Sequence, residues 1–275
     1  MKKILIGILL IISVAACEQK MQQAPLYTPS DFIDQSWAMN KLWEDGQAEV
    51  AIYEAEMVIY GQARKFEQPI ITVKEEFNQA FNVKTDDYQR DDLFSVMKVN
   101  RFANIPTPNY PYHYLTSLFF KRNQPEQLHK MTHTGQEWCG NTFKQFELSP
   151  AGYNYDYNSY FDGYGDGKMD LDGSDLWWDD QLPYVLRALK FEDGLTFKKE
   201  VINSQINTKT YRPKSEEGNF NVSDLGDLWQ VEAEFSEGTN TYLFEKEYPH
   251  VMISQNTWYG YNMKLKRTSR YKYWR

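Results

Sequence analysis

The sequence predicts an all-β fold with minor helix, built as a curved antiparallel sheet or a half-open β-barrel. Aromatic residues make up 16% of the chain, with 20 Tyr and 8 Trp, and such side chains suit the half-buried faces of strands. Short runs with strand-like alternation recur between turn sequences, and the sequence has no long amphipathic helical period. It also has no internal repeat, so we expect one antiparallel β domain over residues 39–275.

The first half of the domain is predicted to consist of strands separated by proline- or glycine-containing turns. The residues at 65–69 form the first expected turn because Pro69 interrupts the strand pattern. Two prolines mark a second turn at 107–111, and Gly140 with Asn141 forms a tight hairpin turn. The expected strands lie within 49–77, 94–105, 112–120, 128–139 and 142–148.

The second half continues this pattern after a connection at 162–180 that is rich in Gly and Asp. A short helix is expected near 175–182, where the connection ends. Gly194 lies at the turn of one expected hairpin, and the segment 236–240 at the turn of another. The strands are predicted at 184–191, 195–201, 229–235, 241–247, 251–256 and 261–274.

The N-terminus carries a strong targeting pattern that ends at Cys17. Lys2 and Lys3 precede an apolar run at 4–16, which is shorter than the roughly 20 residues that span a bilayer. Small residues directly before Cys17 resemble the bacterial lipoprotein-processing signal. That resemblance implies a signal peptide at 1–16, acyl chains such as palmitate on Cys17, and a lipidated tether at 17–38. A plain secretory signal, which would leave Cys17 unmodified, is the alternative.

The net charge and the cysteine content limit the binding partners and the disulfide bonds that the chain can have. The chain has 30 basic and 38 acidic residues, and removal of 1–16 leaves 28 against 38, a net charge of −10. This excess argues against nucleic acid, which requires a positive surface. With Cys17 acylated, Cys139 has no disulfide partner, and its strand context predicts a buried side chain. Glu18 favours the outer membrane, because it is not the Asp that commonly signals retention in the inner membrane. The sequence does not decide between the periplasmic and the surface side.

Several segments resemble a family of uncharacterised lipoproteins from Bacteroidota. The similarity is strongest at 136–143 (QEWCGNTF) and includes 43–50 (WEDGQAEV) and 110–112 (YPY). Some members carry the label septum formation inhibitor Maf, a cytoplasmic α/β pyrophosphatase. The export signal, the β pattern and the lack of a phosphate loop do not fit that label. The order of aromatic strands is also loosely similar to the half-barrels of lipoprotein carriers.

The connection at 162–180 contains the one candidate metal site. Calcium requires closely spaced carboxylate and carbonyl oxygens with glycine at the bend. The spacing is degenerate relative to a standard calcium-binding loop, because Tyr164 and Gly173 occupy ligand positions. Either a loose calcium site or a solvated acidic loop fits this sequence. The candidate ligands are Asp162, Asp166, Asp170 and Asp172.

Tryptophans supply the candidate ligand-binding surface, although they could equally form the core of an aromatic-rich sheet. The candidates are Trp138, Trp177, Trp178, Trp229 and Trp258. Cys139 with His129 or His133 could form a nucleophile–base pair, but no third group is evident that would orient the histidine. A hydrolase could use a carboxylate pair, but pairs such as Asp179–Asp180 and Glu75–Glu76 are expected by chance among 38 acids. We therefore predict no catalytic residues and, calcium aside, no cofactor.

These observations predict a lipid-anchored cell-envelope protein without catalytic activity. It would bind a lipid or glycan ligand, or assemble with an outer-membrane protein, while its lipid anchor holds it to the membrane. A hydrolase with a carboxylate site and a purely structural lipoprotein are the alternatives.

Overall fold

A computed structural model describes residues 27–275, so the predicted signal peptide, Cys17 and residues 18–26 lie outside the described residues. The strands found in 27–275 are β1 Ala48–Ile59, β2 Gln62–Asn78, β3 Val83–Lys84, β4 Leu93–Ile105, β5 Tyr112–Lys121, β6 Leu128–Glu137, β7 Gly140–Ser149, β8 Gly152–Ser159, β9 Gly167–Asp172, β10 Trp177–Trp178, β11 Thr196–Ile202, β12 Ser215–Asp224, β13 Leu228–Phe235, β14 Gly238–Glu245, β15 Met252–Asn256 and β16 Asn262–Tyr271. The α-helix α1 spans Leu182–Val185, and 3-10 turns span Trp37–Met39, Lys41–Glu44, Asp179–Gln181 and Leu186–Ala188.

The strands form one curved sheet that does not close into a barrel. Its order is β10-β11-β12-β13-β14-β15-β16-β1-β2-β4-β5-β6-β7-β8-β9, with β3 paired to β2. The pairs are antiparallel except for the short parallel pair of β10 with β11. The edge strands β9 and β10 are joined by the four residues 173–176. The prediction of a mostly β, half-open antiparallel fold is confirmed.

The connections of the sheet define two ends. Alternate connections in an antiparallel meander lie at the same end. We call the end with the connections after β1, β4, β6, β8, β11, β13 and β15 the mouth. The opposite end, with the connections 122–127, 190–195 and 246–251, is the base.

The segment 177–189 fills the interior of the curved sheet. Trp178 packs edge-on against Tyr153, with ring centroids 4.3 Å apart, and Tyr184 of α1 stacks on Phe120 at 4.4 Å. Every residue from 177 to 189 is buried. Because this segment occupies the concave side, the sheet buries its inner face without closing on itself.

A buried ion pair fastens the interior segment to the sheet. The guanidinium of Arg187 donates from Nη1 and Nη2 to the two carboxylate oxygens of Glu49 on β1, each at 2.8 Å. Its Nε donates to the backbone oxygen of Pro249 at 3.0 Å. Both side chains are about 5% exposed, so their charges depend on each other for compensation.

Residues 27–44 pack against the base, although the sequence assigns those up to 38 to the tether. Ile33 is buried and forms an isolated bridge with Leu189, and Trp37 packs on Trp43. The Glu126 carboxylate, between β5 and β6, accepts hydrogen bonds from Tyr27 and Ser30. Residues 27–275 therefore contain a complete core of their own. Within this range no helix has the length and apolarity needed to cross a membrane.

The first predicted turn is wrong. The hairpin between β1 and β2 turns at Tyr60 and Gly61, both with positive φ, whereas Pro69 lies inside β2 opposite Ile52. Pairing of β2 with β4 begins only at Ile70, so Pro69 has a neighbouring strand on one side only. A proline without an N–H donor is tolerated at such an edge position.

Two further predictions also need correction. The segment 184–191 is α1 followed by a 3-10 turn and extended chain, not a hairpin strand, and β11 pairs with β12 instead. Its residues are surrounded by the sheet, so a short helix satisfies their backbone groups where no partner strand is available. The β6–β7 turn is formed by residues 138–139, with Gly140 already in β7.

Candidate functional site

A cavity of about 700 Å³ opens at the mouth of the curved sheet. We call it the mouth cavity. Apolar and aromatic side chains form much of its wall, which includes Met57, Ile59, Val201, Ile206, Phe235, Trp258, Tyr259 and Tyr261. Its volume lies within the range of about 300–1,000 Å³ that is typical of small-molecule sites.

Asp179 supplies a carboxyl group to this largely apolar cavity. The Tyr259 hydroxyl donates a hydrogen bond to its Oδ2, and Asn240 Nδ2 donates to its Oδ1 at 3.2 Å. Burial, together with the neighbouring charge of Asp180, raises the pKa of Asp179 to about 7. A carboxyl group with this pKa can hydrogen-bond or transfer a proton at neutral pH.

Asp180 faces away from the mouth cavity and ties the interior segment to the loop after β11. Ser204 Oγ and the Gln205 backbone N–H each donate to its carboxylate, at 2.6 Å. Burial raises the pKa of Asp180, and the nearby Arg101 guanidinium opposes this. Arg101 Nη1 donates to the Asp180 backbone oxygen at 2.8 Å. These contacts hold Asp179 in position beneath the cavity.

Lys144 is buried on β7 beneath the loop 203–214. Its Nζ donates to the backbone oxygen of Gln205 at 2.9 Å and to Asn207 Oδ1 at 3.1 Å. Burial lowers the pKa of Lys144 to about 7, against the opposing effect of Asp180. This buried amine attaches the loop to the sheet together with Thr142 on β7, whose hydroxyl donates to the backbone oxygen of Thr208 at 3.3 Å.

The five candidate tryptophans lie in three different environments. Trp258 is 44% exposed and lines the mouth cavity, whereas Trp138 is 77% exposed on another hairpin of the mouth, stacked on Tyr110. Trp177 and Trp178 are buried in the core. Trp229 stacks on Phe191 toward the base. The structure thus brings only Trp258 of this group to the cavity.

The four candidate calcium ligands are exposed and spread along the edge strand β9 and its preceding turn. Asp166 accepts a hydrogen bond from the Ser159 backbone N–H at 3.0 Å. Asp170 and Asp172 follow on β9, and at about 3.3 Å per residue Asp172 is some 20 Å from Asp166 along the strand. No group of three acidic, histidine or cysteine side chains is arranged to hold a metal within residues 27–275.

Cys139 is exposed, so the prediction of a core position is wrong. It lies in the two-residue turn between β6 and β7 rather than within a strand, and its Sγ is 3.2 Å from the Tyr110 hydroxyl. The two histidines have other partners: His129 Nε2 contacts Asn82 Oδ1 at 2.7 Å, and His133 Nδ1 contacts Thr116 Oγ1 at 2.8 Å.

Sequence reasoning missed Asp179 as a cavity residue. The abundance of acids in the sequence makes the pair Asp179–Asp180 look like a chance occurrence. Its position between Trp178 and the apolar run that begins at Leu182 was the available signal, since acids within a buried segment require partners.

The fold and the cavity define an open, β-barrel-like protein with a ligand-sized cavity at one end. No protein-family model matches the sequence, and no curated protein matches it. A similar solved structure is a β-barrel-like protein of the domain of unknown function DUF1849 from Brucella abortus, with 9% identity, a TM-score of 0.45, and coverage of 82% of this chain and 98% of that chain. Another is a DUF1089 family protein from Pseudomonas aeruginosa, with 13% identity, a TM-score of 0.39, and coverage of 66% and 87%. At these scores the similarity assigns neither a function nor a ligand to this chain.

Proposed function

We propose that this chain is a lipid-anchored cell-envelope protein that binds an amphiphilic ligand in its mouth cavity. The observation that carries the proposal is a cavity of about 700 Å³ with largely apolar and aromatic walls and the buried carboxyl group of Asp179 in its lining, with Glu216 and Glu237 nearer the solvent. Apolar surface favours the hydrocarbon part of a ligand, and a few convergent polar groups orient it. The ligand is bound without being chemically changed.

The anchor belongs to the same proposal. Cys17, directly after the apolar run 4–16, would carry the acyl chains that hold the protein at the outer membrane. Residues 18–26 would connect it to the base, where Tyr27 contacts Glu126.

The ligand site is tested by comparing two exposed tryptophans at the mouth. In the chain from residue 18 onward, Trp258→Ala should weaken hexadecanol binding about tenfold, since a buried aromatic contact of about 1.4 kcal/mol is lost. Trp138→Ala is the matched control because Trp138 does not line the mouth cavity. Calorimetric titration measures both affinities. Equal affinities for the two variants would place the ligand elsewhere, and no binding by the parent chain would reject the proposal.

The anchor is tested by comparing the two cysteines. Cys17→Ala should move the protein from the membrane fraction to the soluble fraction, because stable anchoring depends on the acyl chains. Cys139→Ala should leave the protein in the membrane fraction, since that thiol is an exposed turn residue far from the N-terminus. Immunoblots of fractionated cells provide the measurement, and membrane retention of Cys17→Ala would contradict lipid anchoring.

A hydrolase is the second candidate, favoured by the pKa of about 7 at Asp179, which suits a general acid or base. Glycoside hydrolysis uses two carboxyl groups that face each other across the substrate. Asp180 does not serve as the second group, because its oxygens accept from Ser204 and Gln205 rather than facing the cavity. Glu216 and Glu237 also line the mouth cavity, and neither shares a hydrogen-bond partner with Asp179 in the described residues. Ligand binding is therefore our first proposal.

A further inference from the structure

A second cavity lies beside the mouth cavity, against the loop 203–214. Its volume is about 580 Å³, and its wall differs in character from that of the mouth cavity. Three cationic side chains line it, and no carboxylate does: Lys209, Arg212 and Lys214 are joined there by polar and aromatic neighbours. In a chain with a net charge of −8, this is a local excess of positive charge.

The three cations are not neutralised by the protein. None of them forms a salt bridge with any acid in the described part of the chain. Lys209 instead lies over the Tyr211 ring, with Nζ 6.0 Å from its centroid. By contrast, Lys198 on β11 and Lys246, directly after β14, are paired with acids. The loop therefore presents free donors to solvent.

The two cavities adjoin each other. Asn203, Asn207 and Lys214 line both of them, so a molecule that lies over these side chains can contact both cavities. Lys144 fixes the floor of the second cavity from below, through Gln205 and Asn207. An apolar cavity thus adjoins a positively charged one on a loop attached to the sheet.

We propose that the ligand of the mouth cavity is an anionic amphiphile. Its hydrocarbon part occupies the mouth cavity, and its carboxylate, sulfate or phosphate group binds Lys209, Arg212 and Lys214. Guanidinium and ammonium groups are the usual protein partners of such anions. This inference rests on the proposed ligand-binding function and specifies the chemical class of its ligand.

A cationic ligand fits less well. Asp179 is the acid on the cavity floor, and each of its oxygens already accepts a hydrogen bond, from Tyr259 and Asn240. Glu216 at the rim accepts from the Ser236 backbone N–H. Glu237 also lines the mouth cavity and forms no salt bridge in the described part of the chain, so three unpaired cations face one unpaired carboxylate around the adjoining cavities.

The test compares hexadecyl phosphate with hexadecanol, which share one chain and differ in the head group. Both are added to the chain from residue 18 onward at concentrations below the micelle-forming concentration of hexadecyl phosphate and below the solubility limit of hexadecanol. The parent should bind hexadecyl phosphate at least about tenfold more tightly, and the preference should fall as salt rises. The triple variant Lys209→Gln, Arg212→Gln, Lys214→Gln should bind the two probes within about twofold of each other.

A second triple variant controls for net charge. Lys65→Gln, Lys264→Gln and Arg267→Gln remove the same number of exposed cations from the outer face of β2 and β16, and should leave the preference intact. Equal binding of both probes by the parent would overturn this inference while keeping the proposed function, whereas binding of neither would reject both. Inorganic phosphate that binds as tightly as hexadecyl phosphate would overturn it too, by showing a site for a free anion.

Discussion

Replacement of Glu49 by glutamine is expected to reduce the free energy of unfolding by about 3–5 kcal/mol, because it leaves the buried Arg187 guanidinium without a compensating charge. The two side chains make a bidentate contact at 2.8 Å and are about 5% exposed. Glutamine keeps the shape of the side chain and one acceptor oxygen, so the loss reports mainly on charge. Chemical denaturation followed by tryptophan fluorescence measures it.

An exposed pair on the neighbouring strand provides the matched control. Glu67 on β2 pairs with Lys266 on β16, with side chains 53% and 44% exposed. Glu67→Gln should change the free energy of unfolding much less than Glu49→Gln, as is usual for solvated pairs. The double variant Glu49→Leu, Arg187→Leu should recover much of the stability lost in Glu49→Gln, since burying two apolar groups avoids the unpaired charge. Similar losses for Glu49→Gln and Glu67→Gln would contradict this account of the interior.

Replacement of Asp179 by asparagine should change how stability depends on pH. The folded protein holds the Asp179 proton up to a pKa of about 7, whereas the unfolded chain releases it near 3.8. The folded state therefore loses stability relative to the unfolded state as pH rises from about 4 to 7, and the full penalty remains above 7. A difference of about three pKa units corresponds to about 4 kcal/mol.

Asp179→Asn lacks this titration and should gain stability relative to the parent protein between pH 4 and 8, by up to about 4 kcal/mol. The difference between the two proteins reports on Asp179 together with its coupling to the neighbouring Asp180, whereas the titration of Lys144 occurs in both. Denaturation curves at several pH values measure it. Asp162→Asn, at an exposed turn, controls for the loss of one acid and should follow the parent protein. A constant difference between parent and Asp179→Asn across this range would show that Asp179 is not held protonated.

The strands were predictable where alternation and turn residues agree. The segment 94–105 became β4 and 112–120 became β5, because prolines at 108 and 111 exclude any regular element between them. The first hairpin was misplaced because its turn carries Tyr60 before Gly61 instead of the usual Asn or Asp. Pro69 was the stronger local signal for a turn. It is accepted within β2 because the pairing of β2 with β4 begins only at Ile70, which leaves Pro69 with a neighbouring strand on one side only.

The interior segment and the cavity could not be predicted from local sequence. An apolar run such as 182–189 fits a buried helix and a buried strand equally well, and the surrounding sheet decides between them. Asp179 lines the mouth cavity and the loop cations line the adjoining one. They lie close together only because β10, β11 and β12 bring residue 179 and the loop 203–214 to the same end of the sheet. Of the tryptophans, Trp258 could not be separated from the core pair Trp177–Trp178 without knowledge of the strand register.

The attachment of Tyr27 at the base has a consequence for how a ligand arrives. Nine residues lie between Cys17 and Tyr27, and the ten Cα–Cα steps of an extended chain between them reach about 35 Å at most. With Cys17 acylated in the bilayer, as we propose, this limit would keep the base within about 35 Å of the lipid, while the mouth cavity lies at the opposite end of the sheet. A ligand would then enter from the aqueous phase or from a facing membrane or protein, rather than by lateral diffusion from the leaflet that carries the anchor.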